Sequence, residues 1–451
     1  MSDDVQRADA VYEKLLSRAG ERWVQPRKER TARILTLLDD PQRTYRVVHI
    51  TGTNGKTSTA RMIESLLRSH GLRTGLFTSP HLKRFTERIM IDGEPIADAA
   101  VADAWDEIEP FVGIVDAELE AAGDAPLTFF ELLTVLAFVA ASDAPVDVLV
   151  LEVGMGGSWD STNTADGDVA VFAPIDMDHA DRLGETLAEI AEVKAGIIKD
   201  GAAVVSSEQQ AEVAEVLRRV AADRGASIAF EGQDFGLAAQ KLAVGGQLLT
   251  IKGIAGEYAD EYVPQYGAHQ GHNAALAVAA VESLIGGGSQ RIAGDILADG
   301  LQNATSPGRL QLVGIAPTVV VDAAHNPHGA AALARSLDDS FDFDEWGLVL
   351  GVFADKDAAG IVDQLLPAVT EVFATAPDSD RSESADAIAD IVEAQGRRAT
   401  VHPTLAEAAD AAREWAASSD RRAVVIAGSI VLAGEALLLS EDEDWKSGWR
   451  A

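Results

Sequence analysis

Short apolar runs recur along the chain, most of them closed by glycine or a polar turn and followed by apolar residues at helical spacing. The run 45–50 (Tyr-Arg-Val-Val-His-Ile) predicts a buried strand. Met62, Ile63, Leu66 and Leu67 then predict a helix over 58–70. Strands follow at 74–78, 147–152, 170–175 and 204–205, with helices over 97–122, 128–142, 186–197 and 208–223. Ile89–Ile91 followed by Asp92-Gly93 predicts a short hairpin. Upstream, Val11, Leu15 and Leu16, then Ile34, Leu35, Leu37 and Leu38, mark two helices broken at Pro26. The texture changes over 226–266, which alternates, carries many glycines and predicts short antiparallel strands, before a helix over 272–285. A second series begins near Pro307-Gly308-Arg309. It has strands at 318–322, 347–353, 371–376 and 423–427 and helices at 328–337, 357–368, 384–395 and 405–417.

Strands alternating with helices indicate an α/β protein with parallel sheets. The run 147–152 is almost pure valine and leucine, as in a strand buried on both faces. The expected architecture is a phosphate-loop ATPase domain with a mainly parallel sheet and a small antiparallel one, then a smaller doubly wound, Rossmann-like domain. The boundary is expected between residues 303 and 304, beyond the flexible stretch Gly286-Gly287-Gly288-Ser289.

Composition narrows the function. The chain has 451 residues and 47% apolar content, enough to fill the cores of two or three domains. Lysine and arginine number 37 against 72 aspartates and glutamates, a net charge of −35. That balance argues against nucleic acid and anionic membranes as partners. It also requires any phosphate site to be locally positive inside a negative envelope, one that suits a strongly solvated or salt-adapted surface. With no cysteine, disulfides, thiolate metal sites and cysteine nucleophiles are excluded. Met1–Asp9 lacks a signal pattern. The apolar stretch 132–141 is short of the ~20 residues needed to span a bilayer. The expectation is a cytoplasmic protein.

The chemistry is carried by Thr51-Gly-Thr-Asn-Gly-Lys-Thr-Ser58, set between a strand and a helix. That context points backbone N–H groups and the helix dipole at an anion. Thr53, Asn54, Gly55, Lys56, Thr57 and Ser58 are the expected ATP cradle, with Lys56 on the terminal phosphates and the Thr57 hydroxyl on Mg²⁺. The common spacing wants a glycine where Ile50 stands, so the loop is a shortened variant. Glu152 closes the 147–152 strand at the edge where open α/β sheets bind ligands, placed to hold Mg²⁺ or orient a water. His179, after Asp178, ends another strand at the same edge. Lys194 shares a helix face with Ile190 and Ile197; it either snorkels past the core or faces the nucleotide. Arg309, Asp322 and His325 lie on loops of the second series, where a site completed across two domains would draw them in.

In this order the motifs resemble the folylpolyglutamate synthase and dihydrofolate synthase family, relatives of the Mur ligases. The resemblance rests on the 51–57 loop, Thr78-Ser-Pro-His-Leu82, Glu87-Arg-Ile89, Leu151-Glu-Val-Gly154, Asp160–Asn163 and Asp178-His179. It continues through Glu192–Lys199, His269-Gln270 with Asn273, Pro307-Gly-Arg-Leu310 and Asp322-Ala-Ala-His-Asn-Pro327. It implies that ATP phosphorylates a folate carboxylate and that the amino group of L-glutamate displaces the phosphate. By the same resemblance Lys56, Lys194 and His325 are catalytic and Lys194 is carbamylated. Thr57, Ser79, Glu152 and His179 surround Mg²⁺, with room for K⁺. Asn273, Arg309 and Asp322 contact the nucleotide, and Ser79, Pro80, His81, Arg88, Phe129 and Phe130 face the folate. A monomer is implied; whether dihydropteroate is also an acceptor is not. Ser158 stands where the family carries arginine, Ala323 where it carries glycine and Gln311 where it carries glutamate. Two other readings are a Mur-type ligase of UDP-muramyl substrates and an inactive nucleotide-binding regulator. Against the first, the loop begins at residue 51, leaving no separate UDP-binding domain before it. Against the second, the candidate ligands are all present.

Overall fold

The computed structural model describes residues 2–20, 27–178 and 180–446. The expected break at Pro26 and the expected ligand His179 lie outside them. The first sheet contains β1 (Arg46–Thr51), β2 (Thr74–Phe77), β3 (Ile89–Ile91), β4 (Glu94–Pro95), β5 (Val148–Glu152), β6 (Val169–Phe172), β7 (Ala203–Ser206) and β8 (Ser227–Phe230). Their order is β4-β3-β2-β5-β1-β6-β7-β8. All neighbours run parallel except the β2–β3–β4 edge. There Asp92 (φ 51°) and Gly93 (φ 83°) make the tight turn that the sequence pattern expects.

The central strands β1, β2, β5 and β6 are buried almost throughout, because helices cover both faces of the sheet. On one side lie the helices Lys56–Ser69 and Ala268–Gly286; on the other lies Phe129–Asp143, apolar nearly all round and buried at most positions. That helix starts on a capping box: the Thr128 hydroxyl accepts from Glu131 N–H at 3.3 Å, and Glu131 Oε2 accepts from Thr128 N–H at 2.7 Å.

One expectation is corrected here. The segment 226–266 is not wholly antiparallel: β8 joins the large sheet parallel to β7. Only β9 (Gly236–Ala243), β10 (Gly246–Lys252) and β11 (Glu257–Val263) form the separate antiparallel sheet. The approach to residue 303 also contains a helix, Gly294–Gln302, which packs on the phosphate-loop helix through Ser65 Oγ and Gly300 O at 2.7 Å.

A second sheet is built from β12 (Gln311–Ile315), β13 (Thr318–Val321), β14 (Glu345–Leu350), β15 (Glu371–Ala374), β16 (Ala399–Val401) and β17 (Arg422–Ala427), in the order β12-β13-β17-β14-β15-β16. Its helices cover both faces, giving two further apolar cores. The two sheets exchange no strand.

Candidate active site

The parallel register of β1 against β5 sets Ile50 opposite Glu152. The phosphate loop and the Glu152 carboxylate therefore leave the sheet side by side. The connections from β1 and β5 run in opposite directions along it, which opens a crevice at this point. Gly52 (φ 153°) and Gly55 (φ 84°) turn the loop sharply. A Cβ at Gly52 would lie 2.8 Å from Ala173 Cβ, and one at Gly55 would lie 2.8 Å from Asn273 Oδ1. The loop closes against β6 and the Ala268–Gly286 helix only because both positions lack a side chain.

Lys56 Nζ curls over the loop and donates to Gly52 O at 3.0 Å and Thr53 O at 3.1 Å. Thr57 Oγ1 lies 2.9 and 3.0 Å from the two oxygens of Glu152. Glu152 is buried, and burial pushes its carboxyl up to about 6, against the pull of Lys56, the Thr57 hydroxyl, the Ser79 N–H and Arg309. Lys194 faces the same loop: its Nζ donates to Gly52 O at 2.9 Å. Its side chain is buried, and burial, reinforced by Lys56, brings its amine down to about 7, while Asp178 and Asp160 pull the other way. The loop after β5 is seated directly on the helix Leu187–Ala195, which carries Lys194. Ser158 N–H donates to Val193 O at 2.8 Å. A Cβ at Gly157 would lie 2.7 Å from the Lys194 carbonyl oxygen. Asn163 Nδ2 ties Ser158 O to Gly196 O, 3.0 Å from each.

The second sheet contributes the opposite wall. Asp322 accepts Leu310 N–H at 2.9 Å and Ala324 N–H at 2.8 Å, which clamps the turn carrying Arg309. Gln311, the departure noted above, accepts Gly308 N–H at 2.8 Å and braces the same turn. Ala323, another departure, is buried in the core and its N–H donates to Gly308 O at 2.8 Å. His325 Nδ1–H donates to Ala323 O at 3.0 Å, so Nε2 is left as an acceptor. Burial holds His325 neutral, with its pKa down to about 4; His269 is likewise down to about 4, again chiefly through burial. Asn54 of the loop reaches across to His328 Nδ1 at 2.8 Å and to Asn326 at 3.4 Å. Between these walls lies a cavity of about 260 Å³, bounded by Asn54, Gly55 and Ser58 on one side and Arg309, Asp322 and His325 on the other. Asn273 lines it too.

The 79–88 loop forms a further wall. Arg88 Nε donates to His81 Nδ1 at 2.8 Å, and its guanidinium lies 5.2 Å from the Phe129 ring centre. Tyr12 stacks on Phe85 at 4.9 Å and meets His81 edge-on at 5.9 Å. A hollow of about 160 Å³ opens beside Tyr12, His81 and Phe85. Phe129 is buried behind this layer, so it supports the wall; Phe130 is half-buried and covers Gly154, where a Cβ would lie 2.3 Å from the ring.

Lys56, Thr57, Glu152 and Lys194 thus converge on the loop, and Arg309, Asp322 and His325 face it across the cavity. Sequence reading missed His328 and Asn326, which meet Asn54 only in three dimensions, and Tyr12, whose helical spacing marks it merely as core. It also missed Arg61, although a position four residues after Thr57 shares its helix face. Among the described residues no group of three or more histidines and carboxylates converges as a metal cluster. A hydroxyl and one buried carboxylate are nonetheless hard oxygen donors, the set Mg²⁺ takes when phosphate oxygens and water complete its shell. No helix of the described residues is long and apolar enough to cross a membrane.

Comparison with known proteins gives a consistent picture. The Mur ligase middle domain matches residues 50–281, and the Mur ligase glutamate ligase domain matches 308–430. The chain is 43% identical to the dihydrofolate synthase/folylpolyglutamate synthase of Mycobacterium tuberculosis, over 93% of this chain and 92% of that protein. It is 37% identical to the folylpolyglutamate synthase of Lacticaseibacillus casei, over 76% of this chain and 79% of that one. Among solved structures, the Mycobacterium tuberculosis folylpolyglutamate synthase complexed with ADP superposes with a TM-score of 0.92 at 42% identity, covering 97% of this chain and 99% of that one. A structure described as an FPGS–AMPPCP–folate complex superposes with a TM-score of 0.84 at 31% identity, covering 96% and 99%.

Proposed function

The chain belongs to the dihydrofolate synthase/folylpolyglutamate synthase family of the Mur ligase superfamily, and from that premise we propose how it works as an ATP-dependent ligase joining L-glutamate to a folate. The observation that carries the proposal is the cavity shared by the phosphate loop and the second sheet, with the Thr57–Glu152 pair beside it. Taking residues 1–303 and 304–451 as its two domains, the first binds and activates and the second delivers the amino acid.

In this reading Thr53–Ser58 cradle the ATP phosphates, and Lys56 leaves its loop carbonyls for the terminal phosphate. Asn273, Arg309 and Asp322 frame the rest of the nucleotide. Thr57 and Glu152 would hold Mg²⁺, with Ser79 and, by its motif, His179 as further ligands, and the ion would supply neutralisation of phosphate charge. A folate carboxylate oxygen attacks the γ-phosphorus and ADP leaves. The glutamate nitrogen then attacks the acyl carbon, and phosphate leaves with that oxygen. Neutral His325 offers Nε2 as acceptor to an N–H of the incoming amine. The 79–88 loop, with His81 and Arg88, and the Phe129–Phe130 corner flank the acceptor. Lys194 is carbamylated, which places an anion beside Lys56. The chain acts as a monomer in the cytoplasm.

Acceptor choice is tested by measuring phosphate release with ATP and glutamate plus either tetrahydrofolate or dihydropteroate. We expect turnover with tetrahydrofolate and with dihydropteroate, since the open hollow beside Tyr12, His81 and Phe85 is set for a flat ring common to both. Release with UDP-muramyl substrates and with neither folate-type acceptor would overturn the proposal.

A further inference from the structure

Arg61 lies one helical turn beyond Thr57, on the helix that the phosphate loop opens. It lines a small crevice between the sheets, about 30 Å³ in volume, together with Thr57, Thr78, Ser306 and Arg309. Three observations in this crevice stand unexplained by the nucleotide cavity. First, Arg61 is only partly exposed, yet its guanidinium makes no hydrogen bond or ion pair among the described residues. Second, the Arg309 side chain, which borders both spaces, makes none either. Third, the Ser306 Oγ is buried without a hydrogen-bond partner among the described residues.

The absence of a partner for Arg61 is not for want of carboxylates, since acidic residues outnumber basic ones 72 to 37. Glu87, Glu152 and Glu64 all act on Arg61 through space, but each is committed elsewhere. Glu87 accepts the backbone N–H groups of Leu82, Lys83 and Arg84, at 2.9 to 3.3 Å. Glu64 Oε1 accepts from Arg68 Nε at 3.0 Å and from the Thr74 hydroxyl at 2.6 Å. Both Glu152 oxygens face Thr57. A partly desolvated guanidinium kept free in so acidic a chain is a binding group without its ligand. Its planar fork of donors matches a carboxylate.

We propose that Arg61, with the Ser306 hydroxyl and the shared Arg309, forms a subsite for a substrate carboxylate that is not the one being activated. The inference rests on the glutamate-ligase reading and adds to it a residue on the phosphate-loop helix that takes no phosphate. Two substrates of that reaction carry such a group: the incoming glutamate, and an acceptor that already ends in glutamate. Dihydropteroate carries only the carboxylate that reacts.

The test is steady-state kinetics of Arg61→Gln and Arg61→Lys, varying ATP, glutamate, tetrahydrofolate and dihydropteroate in turn. Losing a charge-assisted pair is expected to raise one KM by about 10- to 100-fold in Arg61→Gln. The KM for ATP stays unchanged, and Arg61→Lys recovers part of the loss. A rise for glutamate with either acceptor assigns the subsite to the incoming amino acid. A rise confined to tetrahydrofolate, with dihydropteroate spared, assigns it to the acceptor. A raised KM for ATP, or no change in any KM, overturns the proposal. Failure of the unmodified enzyme to join glutamate to either acceptor would instead defeat the ligase reading itself, so the two failures are distinguishable.

Discussion

Replacing Lys194 by alanine is expected to lower turnover by about 10²- to 10³-fold, the scale for losing one preorganised charge at a transition state, while ATP affinity is retained. The lysine donates to the loop carbonyl of Gly52 and is buried, so its aliphatic stem contributes to packing while its nitrogen faces the phosphate loop. Burial and Lys56 together bring the amine down to about 7. Near neutral pH a substantial fraction is therefore uncharged and nucleophilic. Such an amine adds carbon dioxide and releases a proton, so a neutral group becomes an anion beside Lys56. Below pH 7 the protonated form grows, so reactivation by bicarbonate of enzyme stripped of carbon dioxide should slow as pH falls. Calorimetry with ADP or a non-hydrolysable ATP analogue, beside turnover, separates the two effects. Normal turnover in Lys194→Ala would reject the carbamate role.

Replacing Glu152 by glutamine is expected to cost on the order of 10²-fold or more in turnover without lowering stability. The amide keeps the shape and retains an acceptor for Thr57, but it removes the negative charge available to a divalent cation. The sign of the stability effect follows from the raised pKa. The carboxyl titrates near 4.5 when unfolded and near 6 when buried. The cost of burying its charge accumulates between those values and is present in full above pH 6. Above that pH the neutral amide escapes this cost, so the melting temperature of Glu152→Gln at pH 7.5 should equal or exceed that of the parent. Melting curves beside kinetics give the check; a variant that loses turnover because it unfolds would contradict it. Under the proposed role, Glu152 keeps its charge at the expense of stability.

Glu152 was legible in the sequence for a physical reason, whereas spacing left Lys194 either snorkelling past the core or facing the nucleotide. A strand buried on both faces must be apolar throughout, so the acidic residue ending β5 stands out against Val148–Leu151. The phosphate loop is legible because backbone turns that approach a neighbouring strand and helix admit only glycine, at Gly52 and Gly55. Other parts were not legible. β8 lies in a stretch of mixed polarity, and its pairing with β7 is decided by a parallel crossover that local pattern does not report. The edge strands β12 and β16 are short and partly exposed, so they lack an apolar signature. The helix Ile430–Asp442 shows little amphipathic period, being packed on several sides. It carries Gly434, where a Cβ would fall 2.0 Å from the Leu82 carbonyl oxygen, so the 79–88 loop is docked on the second domain by a contact no spacing rule reveals. The Asn54–His328 contact spans 274 residues, and the Arg61 crevice likewise joins separated parts of the chain. Periodicity gives the scaffold and the glycine loop; the facing wall needs the fold.

The central claim is that the cavity between the two sheets serves acyl-phosphate chemistry. It is tested most directly with tetrahydrofolate labelled with ¹⁸O in its terminal carboxylate, incubated with ATP, Mg²⁺, glutamate and enzyme. Carboxylate attack on the γ-phosphorus, followed by amine attack on carbon, carries a carboxylate oxygen into the released phosphate. We predict ¹⁸O-labelled phosphate in step with formation of the new amide. Amide formation with unlabelled phosphate would contradict the account.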